Sequence, residues 1–422
     1  MPPTFCAWVD APMTATERGC IRASREARGL VDTVVGVGTA ASVYIYLLAL
    51  VNIGISPSSA HQEHAMHATT TVTPVDRYRL LGGPGSPYSL KMRAVLRYRR
   101  LPHLWIVPRG YIGAGGELAE AGKGMIPVLQ YPDGRYRADT TPLIYDLEQR
   151  HPGMRSLVPD DRAVAFLSHL IEDMGDELLV QALFDLRWDA VADQRFCATR
   201  QMYGWLGPVE PAEFDAILER FTRRQTAQRA RIVMGDNHAG LMAFYEALLD
   251  AMEGLVHRTP YVFGSRPSLA DFGLYGQLSQ CAIDPSASAI FRARAPRTYQ
   301  WTQSLDDACG VEGEWAPRET WEATVRPLLA LVGHFHLPLL QAHHDAVEQD
   351  VPQLEWLIEG RRWVVQGQRY KHKCLVWLQR EWQGLTPEEQ ASVLGLLTEA
   401  GCMPFLAGGP TAQQPVAEMA PL

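Results

Sequence analysis

The stretch that decides the fold runs from residue 78 to residue 93 and reads Tyr78-Arg-Leu-Leu-Gly-Gly-Pro-Gly-Ser-Pro-Tyr-Ser-Leu-Lys-Met-Arg93. It predicts a short strand, a tight turn, and a helix whose N-cap and first position are Ser86 and Pro87. Free backbone N–H groups and the positive end of the helix dipole meet at Ser86. An anion is stabilised at such a point, and a thiolate there has a lowered pKa. From this stretch alone, the simpler interpretation is a serine that only caps the helix.

The residues that follow, as far as residue 152, predict a small mixed sheet covered by helices. Leu101–Pro108 and Met125–Tyr131 are short apolar segments typical of strands, and Pro132-Asp-Gly134 predicts a hairpin into a return strand. Pro127 belongs at the start of its strand, because proline cannot donate to a sheet, and its apolar neighbours suit a cis bond. Asp139-Thr-Thr-Pro142 predicts the capped start of a closing helix.

Three motifs in this region resemble, in order and spacing, those of the glutathione S-transferase family. They are residues 86–93, Met125-Ile-Pro-Val128 and Ala138-Asp-Thr140. The resemblance implies a thioredoxin-like α/β domain over residues 76–152, followed by an all-α domain over residues 158–312. Ser268 and Asp271 form a capping box that resembles the one opening the central helix of the family's helical domain.

Carried over residue by residue, the resemblance implies a glutathione site in the first domain. Ser86 would face the glutathione sulfur. Ile126 would pair its backbone with the cysteinyl part of the tripeptide, with Pro127 as the cis residue. Lys123 lies close to the position from which the family often contacts the glycine carboxylate.

The γ-glutamyl end of glutathione would be held by Asp139 and Thr140. That end carries an ammonium group, which Asp139 can pair with, and a carboxylate, which the Thr140 hydroxyl and the helix N–H groups can bind. A plain N-cap pair is the alternative interpretation, and both can hold together. The family usually has Glu-Ser at these positions, so Asp-Thr is a mild departure.

A serine at position 86 also indicates the type of chemistry. Its hydroxyl can donate a hydrogen bond to a bound thiolate and so favour ionisation of the thiol. It cannot form a mixed disulfide, and the chain contains no C-x-x-C, so the sequence does not favour a thiol-disulfide oxidoreductase.

The electrophile pocket of the family lies between the two domains, which makes Tyr88, Arg187 and Trp188 candidates by analogy. Aromatic residues at helical spacing are more often core residues. Residues 318–408 exceed the usual family length and predict extra helices packed on the second domain, shaping the pocket or an oligomer contact.

Four histidines of this extension invite a metal interpretation, which we do not favour. They are His334, His336, His343 and His344. Pro338 interrupts the predicted helix between them, no H-E-x-x-H appears, and we expect no carboxylate at ligand spacing. The sequence therefore predicts no metal site.

Residues 1–75 look like an N-terminal extension with a hydrophobic segment and a linker rather than part of an enzyme. Residues 30–55 are long and apolar enough to cross a bilayer, and four arginines precede them. That charge pattern would export the catalytic domain, away from most glutathione. Two other interpretations stay open: an upstream extension with Met66 as the true start, and a tether of the opposite orientation.

The composition bears on possible partners and on the cellular compartment. The 422 residues carry a formal net charge of -8, which gives no reason to expect nucleic-acid binding. The 7 cysteines show no metal or disulfide spacing, so a reducing, cytoplasmic compartment fits best.

The resemblance implies a glutathione transferase that conjugates reduced glutathione, as co-substrate, to a small electrophile, and it implies a homodimer. The sequence leaves two alternatives open, namely a non-catalytic interaction module of the same fold and a membrane-tethered module anchored through residues 30–55.

Overall fold

A four-stranded mixed sheet forms the centre of the first domain. The computed structural model describes residues 77–108, 117–153 and 155–408, so the predicted N-terminal extension lies outside the described residues. The strands are β1 (Tyr78–Leu81), β2 (His103–Ile106), β3 (Val128–Gln130) and β4 (Tyr136–Ala138), in the spatial order β2-β1-β3-β4. Strand β1 is parallel to β2 and antiparallel to β3, which is antiparallel to β4. This is the thioredoxin-like mixed sheet that the sequence predicts.

Three helices accompany the sheet: α1 (Pro87–Tyr98), α2 (Glu117–Glu120) and α3 (Thr140–Arg150). Helix α1 starts where the glycine turn after β1 ends, because Pro87 suits a first helical position. Its residues Met92, Val95 and Leu96 are fully buried, which fixes the helix in the core. The N-terminus of α1 therefore stays at the end of β1.

The second domain is helical, as predicted. Its helices are α4 (Arg162–Met174), α5 (Val180–Asp189), α6 (Val191–Leu206), α7 (Pro211–Ile232), α8 (Asn237–Val256), α9 (Leu269–Cys281), α10 (Pro285–Arg294) and α11 (Pro296–Leu305). Every residue of α9 is buried, and Ser268 donates to the Asp271 carboxylate through both its amide and its hydroxyl. A Cβ on Gly273 would lie 2.8 Å from the Glu172 Cα, so this close crossing of α4 and α9 requires glycine.

Four acidic residues near the end of α4 are buried, although acidic residues on an amphipathic helix usually face solvent. They are Glu172, Asp173, Asp176 and Glu177, the last two lying in a π-helical turn (Gly175–Leu179) that joins α4 to α5. Each has a cationic or histidine partner from a distant part of the chain. Buried carboxylates require such partners, and helical periodicity alone does not reveal them.

The C-terminal extension is not all-helical, which corrects the sequence prediction. Its elements are α12 (Arg318–Leu331), α13 (Leu337–Glu348), β5 (Leu354–Ile358), β6 (Arg361–Val365), α14 (Arg369–Gln383), α15 (Pro387–Glu399) and α16 (Met403–Leu406). Strands β5 and β6 form a hairpin in which Trp356 faces Trp363. Glu359 and Gly360 connect them with φ of 49° and 70°, the left-handed pair of a tight hairpin turn.

Helices α12 and α13 form one continuous helical stretch through a second π-helical turn (Val332–His336). Pro338 does not interrupt it, contrary to the sequence prediction, because the wider turn just before it accommodates the missing N–H. Within the described part of the chain, this stretch (Arg318–Glu348) alone has the length and mean hydropathy of a membrane span. Its apolar window is 72% buried, which is the burial of a core helix.

Candidate functional site

Ser86 occupies the predicted N-cap of α1. Its Oγ accepts a hydrogen bond from the Ser89 amide at 3.2 Å, and the residue is 1% exposed. Among the described residues, Ser86 has no acceptor for its hydroxyl hydrogen, so the O–H remains able to donate. The group therefore combines a free donor with the positive end of a helix dipole.

Helix α6 covers the turn that leads into Ser86. A Cβ on Gly83 would lie 2.7 Å from the Trp205 Nε1, and a Cβ on Gly85 would lie 2.6 Å from the Gln201 Cγ. The two glycines thus allow α6 to pack directly on the turn. Ser86, which follows this turn, is correspondingly buried.

The segment with the predicted cis-proline adjoins this turn. The Ile126–Pro127 peptide bond is cis, and the Ile126 Cδ1 lies 3.2 Å from the position of a Cβ on Gly83. Ile126 is 8% exposed. Lys123 is half-buried, and its ammonium forms no ion pair within the described ranges of the chain.

Asp139 stands at the start of α3 in a left-handed backbone conformation, with φ of 78°. Its carboxylate does not cap the helix but accepts a hydrogen bond from the Tyr370 hydroxyl at 3.0 Å. Burial raises the pKa of Asp139 to about 6, although the Tyr370 hydrogen bond acts in the opposite direction. Non-glycine residues in this conformation occur preferentially at ligand sites.

Lys91, for which the sequence pattern predicts no role, forms the centre of a buried ionic cluster. Its ammonium contacts Glu172, Asp176 at 2.6 Å and the Thr140 Oγ1 at 3.3 Å, and it is fully buried. Burial would lower the pKa of Lys91, but Asp176 and Glu172 outweigh burial, so the pKa is raised. Thr141 also donates to Glu172, at 2.7 Å. The cluster therefore anchors the start of α3 to α1 and α4.

The first turn of α14 lies next to the start of α3 and the π-helical turn that follows α4. Besides the Tyr370 contact with Asp139, the Lys371 ammonium contacts the Glu177 carboxylate at 2.8 Å. Lys371 is fully buried. The extension therefore contacts the start of α3 and the turn that follows α4. Its predicted part in an electrophile pocket or an oligomer contact stays a prediction.

A contact between α14 and α4 should make stability depend on pH. The His169 Nδ1 lies 2.6 Å from a Glu381 carboxylate oxygen. Burial would lower the pKa of His169, but Glu381 outweighs it and raises the pKa from 6.5 to about 9. The stabilisation is complete below the pKa of the unfolded state and is lost as the pH rises through the pKa of the folded state.

We expect the free energy of unfolding, measured by urea titrations at several pH values, to fall between about pH 6.5 and 9. Glu381→Gln should make that fall less steep. An equal slope in the variant would contradict the assignment.

The three residues predicted to line an electrophile pocket are all engaged within the protein. Tyr88 donates to the Asp176 carbonyl at 2.7 Å. Arg187 is buried against Asp284 at 2.5 Å. Trp188 is 1% exposed and packs on Phe221 with ring centroids 5.6 Å apart. Arg187 is thus a structural ion-pair residue and Trp188 a core residue.

Arg187 nevertheless acts on the site through the turn before Ser86. Arg187 donates to the Gly85 carbonyl at 3.2 Å, and Arg200 donates to the Pro84 carbonyl at 3.1 Å. Both guanidinium groups pair with Asp284, which is fully buried. Asp284 therefore holds the two arginines that position the turn.

The four histidines considered from the sequence do not converge. His336 contacts Asp173 at 2.7 Å and His343 contacts the Gln366 carbonyl at 3.1 Å. His344 instead meets His372 of α14 and Glu348. The expectation that no carboxylate has ligand spacing was wrong, because Glu348 follows His344 by one helical turn.

Comparison with known proteins gives the family. Residues 80–155 match the family model for the glutathione S-transferase N-terminal domain, and residues 235–304 match that for the C-terminal domain. A search of curated proteins gave no match. The two domain matches, in this order, assign the chain to the glutathione S-transferase family.

Solved structures with similarity to the chain include three bacterial glutathione S-transferases. The one from Rhodospirillum rubrum F11 is 18% identical, covers 60% of this chain and 91% of its own, and has a TM-score of 0.37. The one from Methylobacterium radiotolerans, in complex with glutathione sulfonate, has 19% identity, 59% and 94% coverage, and a TM-score of 0.36. The one from Methylobacillus flagellatus, with glutathione bound, has 17% identity, 58% and 98% coverage, and a TM-score of 0.35.

Proposed function

We propose that the chain binds glutathione in the first domain and transfers it to a small electrophilic substrate. The observation that carries the proposal is the placement of three features within the family-matched segment: the helix-capping Ser86, the cis bond before Pro127 and the left-handed Asp139. The electrophile and a homodimeric assembly are parts of this proposal that follow from the family resemblance. A cytoplasmic location is a further part, which rests on the cysteine pattern.

Ser86 would favour the ionised form of the glutathione thiol. Its free O–H can donate to the sulfur, and the dipole of α1 adds to the stabilisation, so both lower the pKa of the thiol. The thiol proton leaves to solvent, and the thiolate forms a carbon–sulfur bond with the electrophile. The leaving group departs with its electron pair, or, in an addition, the adjacent carbon takes up a proton.

The γ-glutamyl end would be bound at the start of α3. Asp139, when ionised, can pair with the ammonium group, and it now accepts only the Tyr370 hydroxyl among the described residues. The N–H groups of the first turn of α3 have no side-chain cap from Asp139 and can bind the carboxylate. Thr140 is already held by the Lys91 cluster, which fixes the geometry of this turn.

Ser86→Ala should reduce conjugation of glutathione to 1-chloro-2,4-dinitrobenzene at least about tenfold, since it removes the thiolate donor. The measurements are initial rates and, for binding, calorimetric titration with glutathione. Thr386→Ala is the matched control, because the Thr386 Oγ1 caps α15 through the Glu389 amide at the same 3.2 Å. Both variants lose one hydroxyl cap, so only Ser86→Ala should lose activity. Unchanged rates in Ser86→Ala would contradict the proposed role.

A non-catalytic glutathione-transferase-like interaction module is the second candidate, and a specific observation favours it. In this structure, Ser86 is 1% exposed next to α6, and the Asp139 carboxylate accepts a hydrogen bond from Tyr370. Such a module would not conjugate glutathione, and Trp205→Ala, which removes a side chain packed on the turn, would not give it that activity. Conjugation of glutathione by the wild-type chain, lost in Ser86→Ala, decides for the first candidate.

A further inference from the structure

We infer that His344, Glu348 and His372 form a binding site for a divalent cation of the zinc type. His344 and Glu348 lie one turn apart on α13, and His372 lies in the first turn of α14. One ligand atom from each residue lies within 4.8 Å of the other two. Two imidazoles and one carboxylate are a ligand set that zinc accepts, whereas magnesium and calcium prefer oxygen alone.

The two imidazoles carry the strongest evidence. The Nδ1 atoms of His344 and His372 are both buried and have no hydrogen-bond partner among the described residues. The rings stack with centroids 4.7 Å apart and an interplanar angle of 10°. A buried nitrogen without a partner costs free energy, and a ring pair without a shared ligand gains little in return. A bound cation would satisfy nitrogen atoms on both rings.

The distances leave room for such a cation after a small adjustment. The His372 Nδ1 lies 3.6 Å from the Glu348 Oε1, too far for a hydrogen bond. Ligand atoms around a tetrahedral zinc ion are about 3.4 Å apart, which this pair already approaches. Glu348 is exposed, so water can complete the coordination.

The cation site lies beside residues of α14 that contact the first domain and the turn after α4, so binding there should stabilise α14. His372 follows Tyr370 and Lys371, which contact Asp139 and Glu177. A cation held by both helices would fix the first turn of α14 on α13. The site is therefore structural for the extension, and the inference does not depend on glutathione binding.

The test uses the full-length chain, stripped with a chelator and titrated with Zn²⁺ by calorimetry. Wild type should bind one equivalent of zinc more than His344→Ala, His372→Ala or Glu348→Gln. His334→Ala is the matched control, since His334 lies 3.8 Å from Glu359 with no third ligand among the residues that the structure describes, and it should bind as wild type does. The difference between variants is the readout, because His61, His64 and His67, outside the described residues, can also take up zinc.

A spectroscopic arm covers variants that fail to fold. Glu348 is exposed, so Glu348→Gln should leave the fold intact and remain informative. Cobalt-loaded wild type should show visible ligand-field absorption that Glu348→Gln weakens and His334→Ala retains. Equal zinc stoichiometry and equal cobalt spectra in wild type and Glu348→Gln would overturn the inference.

Discussion

Lys91→Met should lower the free energy of unfolding by about 3–5 kcal/mol, the usual effect of breaking a buried ion pair. The ammonium of Lys91 is fully buried between Glu172 and Asp176, and no other cation contacts both carboxylates among the described residues. Removing it leaves two like charges in a medium of low dielectric constant, so at least one carboxyl must take up a proton. The measurement is urea-induced unfolding at neutral pH.

Two comparisons isolate this effect. Arg223→Met removes an exposed partner of Glu219 one helical turn away and should leave stability almost unchanged. The Lys91→Met variant should also regain part of its stability at acidic pH, because protonation neutralises the unpaired carboxyls. A loss no larger than that of Arg223→Met would contradict the role given to Lys91.

Asp284→Asn should destabilise the protein by a similar amount, about 3–5 kcal/mol. Arg187 and Arg200 both pair with Asp284, and Arg187 cannot regain solvent because it is buried. The amide keeps the shape of the carboxyl group but removes the charge, so the variant tests the ionic contribution. Asp250→Asn, which removes an exposed partner of Arg294, is the control and should have little effect.

The same substitution should act on the site. Both arginines donate to carbonyl groups of the turn at Pro84 and Gly85, so losing their common partner should loosen the entry to α1. Amide hydrogen exchange at Gly85 and Ser86 should become faster in Asp284→Asn and not in Asp250→Asn. Unchanged exchange would show that Asp284 contributes to stability without positioning the turn.

The parts of the site that depend on local chemistry could be predicted from the sequence. Pro87 after a serine predicted the start of α1, and the apolar surroundings of Pro127, together with the family resemblance, predicted a cis bond. The hairpin in the extension could not be predicted in the same way, because Glu359-Gly360 lacks the Asn or Asp that usually precedes glycine in such a turn.

The remaining contacts join residues too distant in sequence for any pattern to connect. Tyr370 and Asp139 are 231 positions apart. Asp176 and Glu177 look like surface residues of an amphipathic helix, and only their lysine partners explain their burial. Such pairings depend on how helices pack, which periodicity does not determine.

The π-helical turn Gly175–Leu179 couples the unfolding of the first domain to that of the extension. Adjacent residues of this turn hold Lys91 of the first domain and Lys371 of the extension. If the first domain or the extension unfolds locally, its lysine is exposed to solvent and an acidic residue of this turn is left buried without a partner. We therefore expect the two regions to unfold together. The boundaries near residues 152 and 318 thus divide the sequence but not the cooperative unit of unfolding.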